Sequence, residues 1–97
     1  MYVLRATRPE MLTQGPTARE SAVVSAHVAY LRDLAACDVA VLFGRTRTSD
    51  ERTFGPVIFR AETEVAARAI VDADPAVTEG VMRAELFPYR ILHPARP

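Results

Sequence analysis

Val39-Ala40-Val41-Leu42-Phe43 is apolar at every position and stops at Gly44. A strand with one wet face alternates apolar and polar side chains, because successive residues point to opposite sides of the sheet. This run does not alternate, so the sheet that contains it needs cover on both faces. A chain of 97 residues has few other elements with which to provide it.

Those elements can be read from periodicity and punctuation. Met1 to Ala6 predicts a short strand, with Tyr2, Leu4 and Ala6 on one face and Val3 and Arg5 on the other. Arg8 through Pro16 is broken by proline and glycine and reads as a connection. Thr17 followed three residues later by Glu20 forms a capping box, which starts a helix that runs to about Ala36. One arc of that helix carries Tyr30, Val23, Leu34, His27, Leu31, Val24, Ala35 and Val28, while serines, alanines, Arg32 and Asp33 fill the other.

After the apolar run comes a polar loop, Arg45 to Thr53, and then a strand at Val57-Ile58-Phe59 behind Gly55-Pro56. Thr63 is placed to cap a second helix with the stripe Val65, Ala66, Ala69, Ile70 and Ala73. Pro75 stops it near Asp74, and Pro75 to Glu79 is one further turn closed by Gly80. From Val81 to about Ile91 the alternation returns as a last strand. The order β-α-β-β-α-β predicts an α+β, ferredoxin-like fold with two helices on one face of a four-stranded antiparallel sheet. The helices can cover only one face of the Val39–Phe43 strand. A second copy packed on the open sheet face supplies the other cover, so a homodimer is expected.

Composition removes several classes of function. Twelve basic residues balance twelve acidic ones, which argues against a nucleic-acid or anionic-membrane partner. All the basic residues are arginine, so no lysine is present for Schiff-base chemistry. No stretch approaches the roughly 20 apolar residues that span a bilayer, and no basic-then-apolar leader opens the chain. A single cysteine, Cys37, cannot form an internal disulfide and is expected as a buried, inert thiol near a helix end. Together these features suggest a cytoplasmic setting. Two distant histidines without a carboxylate or cysteine cluster argue against a metal site, and the scattered glycines form no phosphate cradle. No cofactor is expected.

Two residues stand out chemically. His27 lies on the apolar arc, where an imidazole must find a hydrogen-bond partner or remain costly. It is also the side chain best suited to proton transfer near neutral pH. Asp74 caps the turn begun by Pro75, and its carboxylate could equally orient an imidazole. Both helices lie on the same sheet face, so the two could meet. Arg45, at a strand end after Gly44, could hold a substrate carboxylate or phenolate; otherwise it is a solvated loop arginine. Tyr30, one turn from His27, could line a pocket or belong to the core.

Several stretches, taken in order, resemble the YCII-related (YciI-like) family over essentially the whole chain. They are the His27-x-x-Tyr30-Leu31-x-x-Leu34 helix face, Leu42-Phe43-Gly44-Arg45-Thr46, Thr53-Phe54-Gly55, Ala73-Asp74-Pro75-Ala76-Val77 with Gly80-Val81, and Glu85-Leu86-Phe87-Pro88-Tyr89. Where other members have a glycine before strand two, this chain reads Cys37-Asp38. The resemblance implies one YCII-related domain over residues 1–97 and a dimeric α+β barrel of ferredoxin-like protomers, similar to muconolactone isomerases. It also implies that His27 and Asp74 form the His–Asp pair proposed as the family's active site. Most members have no assigned reaction, and at least one is a dehydrochlorinase.

The resulting expectation is a small cofactor-free enzyme that moves protons on a small carbonyl or aromatic ligand, by abstraction, isomerisation or elimination. His27 would be the acid or base, Asp74 its orienting partner, and Arg45 and Tyr30 the substrate contacts. The other reading is a dimeric small-molecule-binding or accessory module in which the His–Asp pair is a structural hydrogen bond.

Overall fold

A computed structural model describes residues 1–93. Its elements follow the order β1 (Tyr2–Ala6), α1 (Glu10–Thr13), α2 (Ala18–Ala36), β2 (Ala40–Phe43), β3 (Gly55–Phe59), α3 (Glu64–Asp72), α4 (Pro75–Thr78) and β4 (Met82–Leu86). The four strands form one sheet in the order β2-β3-β1-β4, and every neighbouring pair is antiparallel. This is the ferredoxin-like arrangement the strand and helix periods implied.

The capping box forms as read from the sequence. The Glu20 amide donates to Thr17 Oγ1 at 3.1 Å, and the Thr17 amide donates to Glu20 Oε1 at 2.8 Å. Helix α2 then lays His27 and Leu31 against the sheet and leaves Ala22, Ala26, Arg32 and Asp33 outside. It ends where Asp38 takes a left-handed backbone, φ 61°. There the Val39 amide reaches the Leu34 carbonyl at 2.8 Å and the Asp38 amide reaches that of Ala35 at 3.1 Å, a Schellman closure. Glycine is the residue that this backbone favours, and an aspartate tolerates it at some cost.

Tyr2, Leu4, Leu31, Val57 and Val71 make up the buried core between sheet and helices. The rings of Tyr2 and Phe59 meet edge to face, with centroids 5.6 Å apart.

Four local readings change. The Arg8–Pro16 connection contains the one-turn helix α1, which buries Met11. Strand β3 begins at Gly55, two residues earlier than expected, because the Gly44 amide pairs with the Pro56 carbonyl at 3.3 Å. Strand β4 ends at Leu86 rather than near Ile91. Phe87 still exchanges backbone bonds with Met1, but Pro88 has no amide to continue the ladder. Cys37 is exposed, since the left-handed turn at Asp38 leaves its side chain at the helix end, pointing away from the core.

Strand β2 is irregular. Ala40 pairs with Phe59, Leu42 with Ile58 and Phe43 with Val57, so Val41 is an extra residue in a β-bulge. Ala40 is buried, while Val41 and Leu42 are 43% and 58% exposed. The bulge therefore sets two consecutive apolar side chains in the open, where strict alternation would have exposed every second one.

Candidate functional site

The site is assembled from three distant parts of the chain. Pro75 disfavours a helical conformation for the residue before it, and Asp74 adopts φ −67°, ψ 122° between α3 and α4. That places its carboxylate over the first turn of α4, where Oδ1 accepts the Ala76 amide at 2.9 Å. The same carboxylate faces α2. His27 Nδ1 lies 2.7 Å from Oδ1 and 2.9 Å from Oδ2. From β1, the Tyr2 hydroxyl donates to Oδ2 at 2.8 Å. Tyr2 and Asp74 are fully buried, and His27 retains only 8% of its surface.

These contacts define the imidazole. A carboxylate accepts, so the nitrogen facing Asp74 carries the hydrogen, which leaves Nε2 with its lone pair in the neutral ring. Among the described residues every sealed polar side-chain atom has a hydrogen-bond partner. Nε2 has no such partner, so it must be open to solvent. His27 lines a cavity of about 550 Å³ between α2 and the sheet. Leu4, Val24, Val28, Leu31, Phe43, Phe54 and Val57 make most of its wall apolar; Ser21, Ser25, Thr53 and Arg45 add polar groups. A volume of this kind lies within the range of small-molecule sites.

The loop after β2 shapes the far wall. Thr46, Thr48 and Thr53 join hydroxyls at 2.8 Å and 2.7 Å, and the Phe54 amide donates to Thr46 Oγ1. Gly55 lets this wall close, because a Cβ there would lie 2.8 Å from the Gly44 carbonyl oxygen. On the near side, the Arg8 guanidinium grips Glu20 through both carboxylate oxygens, at 2.9 and 2.6 Å, and ties the α1 connection to α2. This grip and the Thr17 amide pull the Glu20 carboxyl down to about 2.

The sequence-expected residues thus separate. His27 and Asp74 meet. Arg45 lines the cavity, but its guanidinium donates to the Thr46 and Thr48 carbonyls of its own loop at 3.3 and 3.1 Å. Tyr30 stands outside the cavity: its hydroxyl donates to the Ile70 carbonyl at 2.6 Å and ties α2 to α3. Tyr2 was legible only as one of the alternating residues on one face of β1, yet a phenol that becomes buried needs a partner, and that requirement was the available signal. Burial, followed by the Asp74 charge, pushes the phenols of both Tyr2 and Tyr30 above their ordinary value. Among the described residues no group of three or more histidines, cysteines or carboxylates could hold a metal ion, and no helix there is long and apolar enough to cross a membrane.

The sequence matches the YCII-related domain family over residues 1–90. The chain is a YCII-related protein. No functionally curated protein matches it. Among solved structures, this YCII-related chain is similar to 5-chloro-2-hydroxyhydroquinone dehydrochlorinase (TftG) from Burkholderia phenoliruptrix AC1100, solved in complex with 2,5-dihydroxybenzoquinone. That likeness has a TM-score of 0.56 at 24% identity and covers 93% of this chain and 96% of the other, which establishes a shared fold.

Proposed function

We propose that this YCII-related protein is a small-molecule enzyme in which His27 Nε2 transfers a proton to and from a ring-sized substrate in the cavity. The observation that carries the reading is the asymmetry of His27. Nδ1 is tied to a fully buried carboxylate, while Nε2 has no hydrogen-bond partner among the described residues and His27 lines a largely apolar cavity. Asp74 fixes the tautomer and stabilises the imidazolium that forms when Nε2 takes a proton.

The reaction class follows from what one base can do. Nε2 removes a proton from a carbon or oxygen next to a carbonyl, and the electron pair moves into the conjugated system. Returning the proton to another atom completes an isomerisation. Where a carbon–chlorine bond lies next to the developing anion, the pair instead forms a double bond as chloride leaves. The similar dehydrochlorinase and its quinone ligand support the second course, on a hydroxylated aromatic or quinone. Arg45 is the residue for the ligand's anionic oxygen, after its guanidinium turns from the loop carbonyls. Proton transfer of this type contributes about 10²–10⁴ in rate.

Chloride release from a chlorinated hydroxyhydroquinone tests the reading. The wild-type chain should release chloride above the buffer rate, and His27→Gln should lose about 100-fold or more while still binding 2,5-dihydroxybenzoquinone. Quinone binding without proton exchange or chloride release by the wild-type protein would instead make it a binding module.

The assembly we propose is a homodimer through the open sheet face. The bulge exposes Val41 and Leu42 there, next to half-buried Ile58 and Val3, and a second copy would remove this apolar surface from water.

A further inference from the structure

The geometry points to Tyr2 as a positioning residue that sets the proton affinity of His27 through Asp74. This deepens the reading of His27 as the proton carrier and rests on it. Asp74 receives three donors: the imidazole across both oxygens, the Ala76 amide on Oδ1 and the Tyr2 hydroxyl on Oδ2 at 2.8 Å. The Ala76 amide belongs to the turn that Asp74 caps and comes with the backbone. The phenol does not; a phenylalanine would fill the same core space against Phe59 without it.

A donor on the carboxylate disperses part of the negative charge that holds the imidazolium. In a fully buried site little water is present to do this instead. With Tyr2 bonded, Asp74 therefore stabilises His27⁺ less strongly, and Nε2 releases its proton more readily. Tyr2 also pins Oδ2, so the carboxylate cannot rotate away from the ring. The other titratable groups facing the pair are Tyr30, whose hydroxyl is committed to the Ile70 carbonyl, and Arg45, whose guanidinium is held by its own loop. Neither reaches Asp74 with a hydrogen bond, which leaves the Tyr2 phenol as the side chain that tunes it.

The test is an NMR titration of the His27 imidazole in the whole chain, which needs no substrate. Tyr2→Phe should raise the His27 midpoint, because Asp74 then keeps more of its charge for the imidazolium. Site-specific 3-fluorotyrosine at position 2 makes the phenol a stronger donor and should lower the midpoint. An unchanged midpoint in folded Tyr2→Phe, or a fall, overturns the proposal. If Tyr2→Phe does not fold, the fluorotyrosine protein decides alone: a fall supports the proposal, and no change overturns it. Shifts of this kind in a protein that turns over no substrate would keep the tuning and discard the enzymatic reading.

Discussion

The Tyr2 hydroxyl and the Asp74 carboxylate, 72 residues apart in sequence, form a hydrogen bond of 2.8 Å in which neither residue touches solvent. Burial and the neighbouring charge raise the Tyr2 phenol above its usual value of 10.0. Above that pH the unfolded chain releases a proton that the folded chain keeps, so stability falls as pH rises. With no lysine in the chain, the phenols dominate this range. Each retained proton contributes a slope of about 1.4 kcal/mol per pH unit. Tyr2→Phe should be less stable at neutral pH but lose less on going from pH 9.5 to 11, by denaturant unfolding. The remaining slope should come largely from Tyr30, whose phenol is also raised.

Acid should act through a different pair. Arg8 and the Thr17 amide hold the Glu20 carboxyl at about 2, against an ordinary 4.5. A lowered carboxyl supports folding above its unfolded value and loses that support as pH falls through the folded one. Thermal unfolding should therefore show a falling midpoint between pH 4.5 and 2. Glu20→Gln should start lower at pH 7 and converge with the wild type at the acid end. Parallel curves for the two proteins would show that the Arg8 grip contributes nothing.

Asp38 occupies the left-handed turn that glycine favours, at φ 61°. A non-glycine residue there costs about 1–2 kcal/mol. Asp38→Gly relieves that strain, partly offset by the greater freedom of glycine in the unfolded chain. The expected gain in unfolding free energy is up to about 1 kcal/mol, with Asp38→Val losing a similar amount or more, both measured by urea titration.

The fold was legible because its signals are local. Thr17 with Glu20 marks a helix start by itself, and Pro75 marks the stop before it. What lay beyond reading were the partnerships made across the fold. The alternation of β1 put Tyr2 on one face with Leu4 and Ala6, but nothing in residues 1 to 6 says that a carboxylate would meet its hydroxyl. Tyr30, one helical turn from His27, was read as able to face a pocket, and the packing of α3 turned its hydroxyl to Ile70 instead. The pairing of His27 with Asp74 came from the family resemblance, since the distance between two helices is set by the sheet beneath them. The bulge at Val41 was hidden for the same reason: it exists only in the register between β2 and β3.

That register also decides how the open face can be tested. Were β2 regular, every second apolar residue of Val39–Phe43 would turn to the core, and one exposed side chain would be an ordinary surface feature. With the bulge, Val41 and Leu42 stand together in the open beside Ile58, while the β4 end of the same face carries the exposed Arg83 and Glu85. A second copy seated on the β2–β3 side would bury the apolar half and leave the charged half at its rim. The wild-type chain should therefore sediment as a dimer at micromolar concentration. Leu42→Arg would place an unpaired charge in that contact, so its dimer should dissociate about 100-fold more readily. Glu85→Arg, at the charged end, should change the dimer little. A wild-type chain that sediments as a monomer at those concentrations would show that Val41 and Leu42 are simply tolerated in water.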